Sequence, residues 1–543
     1  MMRKYLRFLW GLRKFIQERS TPEEAIALAK EKVRDRIQHR EENFLNFVER
    51  GVYGNPNSPY LRLLQPRKIA LQDIQKRVGT DGLEPTLDFL RQEGVYYTVA
   101  EYKGMQDVVR NGLKFRAKES EFDNPFLSAA YEVRSGATRS AGTRIRIDFD
   151  YLIQRSLYDA LLLSTHNALT SPIANWFPIF PGAPGINSSL RFCRIGNPPK
   201  KWFSQVDRNH LKLNWERRFG TNYIIYMTRL FGAAVQKPEY VSLNDASLVA
   251  QWAAAALNES EHCVVYTFAS SAVRVCMAAR EHNLNIKGAI FLVTGEPLTE
   301  TKRREIESTG ARAVPVYGIS EAGVIAAGCD QPHSIPDHCH VYKDSIAITK
   351  HQRIFPAGDD AQIETLLFTS LLYESPKILI NIEMGDTGTL TSGSCPCQMG
   401  ELGFDLQIHT IGSFEKLTGE GVTFVNTDFV HIIEEVLPRQ FGGESTDYQI
   451  VEEEDSTGIT HLNLLVSPRV RDVDEQSVVQ VFLRHLLHSD ETPGSWARSG
   501  SQMWSHVGTV RVKREYPIPT KRAKILPFHV VRNLEKMKAS KDS

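Results

Sequence analysis

The sequence predicts an α/β protein: a large N-terminal domain of helix-covered sheets followed by a small α+β C-terminal domain. Three observations predict it. Strand and helix patterns alternate through the middle of the chain with short links, as in a parallel sheet covered by helices. After Gly412 the pattern changes to a helix, a hairpin, a helix and a strand. The chain has 543 residues, more than one ordinary domain. The domains are therefore placed at residues 1–411 and 412–543.

Residues 1–92 read as mostly helical, with charged stretches such as Glu23 to Glu42 and a turn at Gly54-Asn55-Pro56-Asn57-Ser58-Pro59. The first sixteen residues are basic and apolar. They lack an uninterrupted apolar core and a small-residue cleavage site, so they do not read as a signal peptide. No run is long enough to span a bilayer. The expectation is an amphipathic helix packed on its own domain, with peripheral membrane contact of the N-terminus as the alternative. A polar loop beginning at Arg134 leads into an alternating strand, Thr143 to Asp148. Next come a strand at Cys263–Phe268, a helix from Ser270 to His282, a strand at Ala289–Val293, a helix from Thr299 to Thr309 ended by Gly310, and a strand at Ala313–Tyr317. Strands at Glu364–Thr369 and Ile378–Ile382 lead to Gly385-Asp386. The tail reads as a helix at Thr427–Val436, then hairpin arms Tyr448–Val451 and His461–Val466 turning at Asp455–Gly458. A helix at Glu475–Leu487 and a strand at Val510–Val512 complete it.

Formal charge is +1 with acids and bases mixed, so no nucleic-acid-binding surface is expected. Seven cysteines in so long a chain, some beside histidines, do not form a secreted disulfide framework. They fit reduced thiols in a cytoplasmic protein, some of them binding metal.

Five segments have the chemistry of a nucleotide site. Arg134-Ser135-Gly136-Ala137-Thr138 offers small residues whose backbone N–H groups can approach phosphate, or is a plain polar loop. It is not a Walker loop, because Gly-Lys-Ser/Thr is missing. Thr294-Gly295-Glu296-Pro297 falls at a strand end, where a glycine lets backbone pass a planar base; a plain turn is the alternative. Tyr317-Gly318-Ile319-Ser320-Glu321 falls at the next strand end, where ligands of such sheets bind. It supplies a ring for a base, a hydroxyl for phosphate and a hard oxygen for Mg²⁺; a capping serine with a surface glutamate is the alternative. Met384-Gly385-Asp386 offers an acceptor for paired ribose hydroxyls, although Gly-Asp is also an ordinary turn. Pro519-Thr520-Lys521-Arg522-Ala523-Lys524 is either a solvated basic stretch or the source of a catalytic lysine. Separately, Cys329, His333, Cys339 and His340 with Cys395-Pro396-Cys397 are the ligand types of a Zn²⁺ site, or two unrelated sets of buried thiols.

In order and spacing these segments resemble the acyl-adenylate-forming superfamily, and its phenylacetate–CoA ligase-like branch in particular, from about the first hundred residues to Lys524. The resemblance implies that Ser135, Gly136 and Thr138 belong to the phosphate loop, with Arg139 in place of its last glycine. It puts Gly295, Glu296, Pro297, Tyr317 and Gly318 on adenine, Ser320 on phosphate, Glu321 on Mg²⁺ and Asp386 on ribose. Lys524 would be the catalytic lysine of a mobile small domain. That domain would pivot at Glu415 or Lys416, with Gly421 beside the thiol's path; Ser413 stands where the family has arginine, and the hinge is one residue short. Cys329, His340, Cys395 and Cys397 would hold a structural Zn²⁺. The implied reaction joins a small-molecule carboxylate to ATP, giving acyl-AMP and pyrophosphate, then transfers the acyl group to a thiol, most simply coenzyme A. Tyr266, Phe268 and Ala269 are candidates for the acyl pocket. Transfer to a carrier-protein phosphopantetheine or an amine is one alternative. The other, motivated by Arg139, Ser413 and the short hinge, is an inactive nucleotide-binding scaffold.

Overall fold

The computed structural model describes residues 2–110, 112–128, 130–134, 144–179, 184–205, 215–233, 235–243, 245–354, 362–413, 416–419, 422–425, 432–454, 460–487 and 510–518. Ser135, Gly136, Thr138, Arg139, Glu415, Gly421 and Lys524 lie outside them. Lys416 falls in a short strand, Lys416–Gly419, without a described side chain.

Helix α1 (Met2–Gln17) places Phe8, Leu12, Phe15 and Ile16 on one face at helical spacing, and all four are buried. The rings of Phe8 and Phe15 lie 5.8 and 5.4 Å from that of Phe149. Its apolar face is thus used against its own domain. Helix α2 (Pro22–Gln38) begins with a capping box, in which Thr21 Oγ1 accepts from the Glu24 amide and the Glu24 carboxylate accepts from the Thr21 amide. Among the described residues, no helix is long and apolar enough to cross a membrane.

The centre is a ten-stranded sheet. In chain order its strands are β1 (Ile173–Trp176), β2 (Lys201–Ser204), β3 (Pro238–Tyr240), β4 (Cys263–Phe268), β5 (Ala289–Thr294), β6 (Arg312–Ile319), β7 (Gly323–Ala327), β8 (Cys339–Val341), β9 (Asp386–Ser392) and β10 (Leu406–Ser413). Across the sheet the order is β9-β10-β8-β7-β6-β5-β4-β1-β2-β3. Every pair from β6 to β3 is parallel, and every pair from β6 to β9 is antiparallel. β4 and the first five residues of β5 are buried, as continuous apolar runs covered on both faces should be. Helices α3 (Phe149–Thr165) and α4 (Pro184–Arg194) cover the sheet, and α5 (Ala269–Glu281) and α6 (Glu300–Glu307) return between its parallel strands.

The change of direction falls within β6. Arg312–Pro315 pair with β5, and Val316–Ile319 pair with β7. Pro315 sits at the switch, where a residue without N–H disturbs a ladder least.

The C-terminal part contains a three-stranded sheet of Tyr448–Glu454, Thr460–Val466 and Val510–Lys513, with a helix at Glu475–Leu487. Two sequence expectations need adjustment. Of the helix expected at Thr427–Val436, residues 427–431 lie outside the described residues. Ile432–Val436 forms a π-helical turn, and a short α-helix, Leu437–Phe441, follows with Pro438 in its first turn, a position that tolerates a missing N–H. Ile378–Asn381 is not a regular strand. Asn381 adopts φ +50°, and its side-chain Nδ2 donates to Leu87 O at 2.8 Å and Val95 O at 3.3 Å. Only Ile382–Glu383 pair as strand, antiparallel to Leu367 and Phe368.

Candidate nucleotide and metal sites

β5 ends in Gly295 at φ +77°, a left-handed turn that suits glycine, and the residue is exposed. Glu296 turns inward. Its Oε2 accepts from the Ser270 amide at 3.3 Å and from the Ser270 hydroxyl, and lies 3.4 Å from Lys302 Nζ. Ser270 is in the first turn of α5, whose amides lack partners within the helix, so the carboxylate closes that end. The Glu296 side chain therefore serves the fold. The exposed backbone of Gly295 and the ring of Pro297 are what the turn presents outward.

β6 carries the next segment outward. A bulge between Tyr317 and Gly318 shifts the register against β7, a device that re-aims side chains. Gly318 is needed there, since a Cβ would meet the Gly323 carbonyl oxygen at 2.9 Å. The Tyr317 hydroxyl donates to Asp386 Oδ2 at 3.0 Å, joining β6 to the first residue of β9. Burial first, and then the Asp386 carboxylate, push the Tyr317 hydroxyl well above its ordinary pKa, so it remains a donor. Gly385 precedes Asp386 at φ +78°, and its carbonyl accepts from Ser413 Oγ at 2.9 Å. Ser413, where the resemblance would have arginine, thus braces the turn that presents Asp386. Ser320 is exposed just past the carboxyl end of β6, and Glu321 beside it is 6% exposed.

One neighbour of Glu321 was not legible in the sequence. Lys103, after the short helix Val99–Tyr102, places Nζ 3.5 Å from Glu321 Oε1. The buried Tyr102 hydroxyl has no hydrogen-bond partner, and Glu321 adds to the burial that raises its pKa. A mostly buried carboxylate at the end of β6 is a hard oxygen of the kind that Mg²⁺ takes, and Lys103 is a cation that the ion would have to displace.

Tyr266, Phe268 and Ala269 are buried, and the rings of Tyr266 and Phe268 pack edge-on to Phe177 at 4.9 and 5.0 Å. Tyr266 also borders a cavity of about 10 Å³, with Arg155, Asp159, Arg191 and Tyr342 among its other walls. That is room for about one water, not for an acyl group.

The thiols form a second centre. One ligand atom from each of Cys329, His340, Cys395 and Cys397 lies within 4.8 Å of all the others. Cys395 and Cys397 flank a proline, and Cys397 caps the helix Gln398–Glu401, its Sγ accepting from the Gly400 amide at 3.3 Å. His340 Nδ1 donates to Phe404 O at 2.6 Å, which leaves Nε2 bare at 3.4 Å from Cys397 Sγ. A hydrogen bond from Cys329 first, and the Gly400 amide after it, push the Cys397 thiol below its ordinary pKa, against the burial that would raise it. Cys339 points elsewhere, with Sγ 3.7 Å from Pro315 O. Three sulfurs and one imidazole converging in this way suit a tetrahedral thiophilic metal with no open position.

No family model matches the chain, and no curated protein matches it. Among solved structures it is similar to a 2-hydroxyisobutyryl-CoA ligase in complex with 2-HIB-AMP and CoA. The identity is 13%, covering 95% of this chain and 93% of that one, with a TM-score of 0.48. It is also similar to a malonyl-CoA ligase with methylmalonyl-CoA and AMP bound, at 12% identity, 72% coverage of each chain and a TM-score of 0.39. An amide bond synthetase from Marinactinospora thermotolerans is similar at 11% identity over 77% of this chain and 71% of that one, with a TM-score of 0.39. At these scores the likeness carries no functional argument.

Proposed function

We propose that this chain activates a small carboxylic acid by adenylation and passes the acyl group to a thiol, with coenzyme A as the acceptor. The observation that carries this reading is the joining of Tyr317 to Asp386 near the carboxyl end of β6, with Ser320 and Glu321 immediately beyond. A base lies on the tyrosine ring, the ribose hydroxyls donate to Asp386, and Ser320 donates to phosphate. Glu321 holds Mg²⁺, which when bound neutralises charge on the phosphates. Lys103 balances Glu321 before the ion arrives.

In the first step a carboxylate oxygen attacks the α-phosphorus, and the bond to the β-phosphate oxygen breaks to release pyrophosphate. Lys524, outside the described residues, is the proposed cation against the α-phosphate and the carboxylate. In the second step the thiolate attacks the acyl carbon and AMP leaves. Cys329, His340, Cys395 and Cys397 hold a structural Zn²⁺ that ties the loop after β7 to the segment before β10. Supporting this are the four converging ligand atoms and the fixed tautomer of His340.

Pyrophosphate exchange into ATP, measured with a panel of carboxylates, tests the reaction. Exchange that requires both an acid and Mg²⁺ is expected. Nucleotide binding without exchange for any acid would leave only the scaffold reading.

A further inference from the structure

His333 is not one of the four converging residues, yet its Nε2 lies 3.4 Å from Cys329 Sγ. Three features hold it there. Arg303 of α6 donates from Nη1 to the His333 carbonyl at 2.7 Å, which fixes the backbone. The His333 ring stacks on His338, with centroids 3.7 Å apart and planes 17° apart. His338 is itself held by Gln407, whose Oε1 lies 3.2 Å from His338 Nε2 while its Nε2 donates to Gly393 O at 3.3 Å. That arrangement puts the proton of His338 on Nε2 and leaves its buried Nδ1 without a partner. The stack presents the His333 ring edge to Cys329.

Three thiolates around one divalent cation leave a net negative charge. A metal-bound Cys329 sulfur can only accept hydrogen bonds, and Cys329 is partly exposed. We infer that His333 is a positioning residue of the metal centre, donating its Nε2–H to the Cys329 thiolate and so strengthening metal retention from outside the ligand shell. The inference rests on the zinc reading above. Groups that hydrogen-bond to a metal's ligands orient those ligands and tune their basicity. A proton shared with Cys329 spreads the negative charge of the three crowded thiolates, which lowers their mutual repulsion around the cation and makes the sulfur a weaker nucleophile.

The test uses the full chain loaded with Co²⁺ in place of zinc. The parent protein should bind about one Co²⁺ with the intense visible bands of a tetrahedral site and sulfur-to-cobalt charge transfer in the near ultraviolet. His333→Phe keeps a ring on His338 and removes the N–H. Its charge-transfer band should move to lower energy at unchanged visible intensity, and its metal affinity, measured by chelator competition, should fall roughly ten- to a hundredfold. His333→Gln, which restores a side-chain N–H, should recover most of both. An unmoved band with unchanged affinity in His333→Phe would overturn the inference. So would a loss of visible intensity, which would make His333 a ligand. If the parent chain shows no tetrahedral cobalt spectrum, the zinc reading fails and this inference falls with it.

Discussion

Asp386 accepts from the Tyr317 hydroxyl, and the proposed function gives the same carboxylate the ribose hydroxyls. Asp386→Asn should lower ATP affinity about tenfold to a hundredfold, the worth of one hydrogen bond to a charged acceptor at about 1.5–3 kcal/mol. Titration calorimetry reads this directly, and unchanged affinity would remove the ribose role. Glu321→Gln should behave differently. It should slow pyrophosphate exchange by roughly a hundredfold or more through loss of the metal ligand, with a smaller effect on nucleotide binding. Tyr317 and Asp386 were legible because each sits at a strand end in a recognisable segment. Lys103 was not, because a lone lysine after a short helix says nothing about a partner distant in the chain.

At the scale of elements, α5 depends on a residue outside itself. Glu296 closes its first turn and meets Lys302, whose side chain is 2% exposed. Glu296→Ala should cost about 3–5 kcal/mol in denaturant unfolding, the usual penalty for removing one partner of a buried ion pair. If ATP affinity fell while stability held, the side chain would be a ligand contact after all. The sequence showed Gly295-Glu296-Pro297 as a turn but not which way the carboxylate points, since that depends on α5 packing beside α6. Strands β4 and β5 were readable because burial on both faces demands continuous apolar runs. The same apolar signal misled at Ile378–Asn381, where side-chain bonds from Asn381 to Leu87 and Val95 set the backbone instead.

At the scale of the molecule, a metal held by Cys329 and Cys395 closes a long loop, so its binding free energy counts toward folding. Removing metal with a strong chelator, or Cys397→Ser, should lower the thermal midpoint by several degrees or more, read by calorimetry. An unshifted midpoint in a chain shown to have lost its metal would deny the structural role. Domain motion makes a separate demand. Lys524→Ala should abolish acyl-AMP formation yet still transfer acyl groups from supplied acyl-adenylate. Gly421→Leu should form adenylate and fail at the thioester. Equal loss of both half-reactions in both variants, with the fold intact, would exclude a small domain that swings between two duties. The domain boundary was drawn from a change in pattern, whereas the pivot rests on resemblance alone.

β6 has one further consequence. Its first half is spliced to the parallel strands, and its second half, with Tyr317, to the antiparallel ones that lead through β7 to Cys329 and through β8 to His340. Tyr317 and the thiol cluster therefore share one woven fabric, while Gly295 after β5 belongs to its neighbour. Pro315 is the seam between the two cloths. A nucleotide that rests on both Gly295 and Tyr317 would stitch across that seam, so occupancy of the site would itself be a fastening of the molecule's two halves.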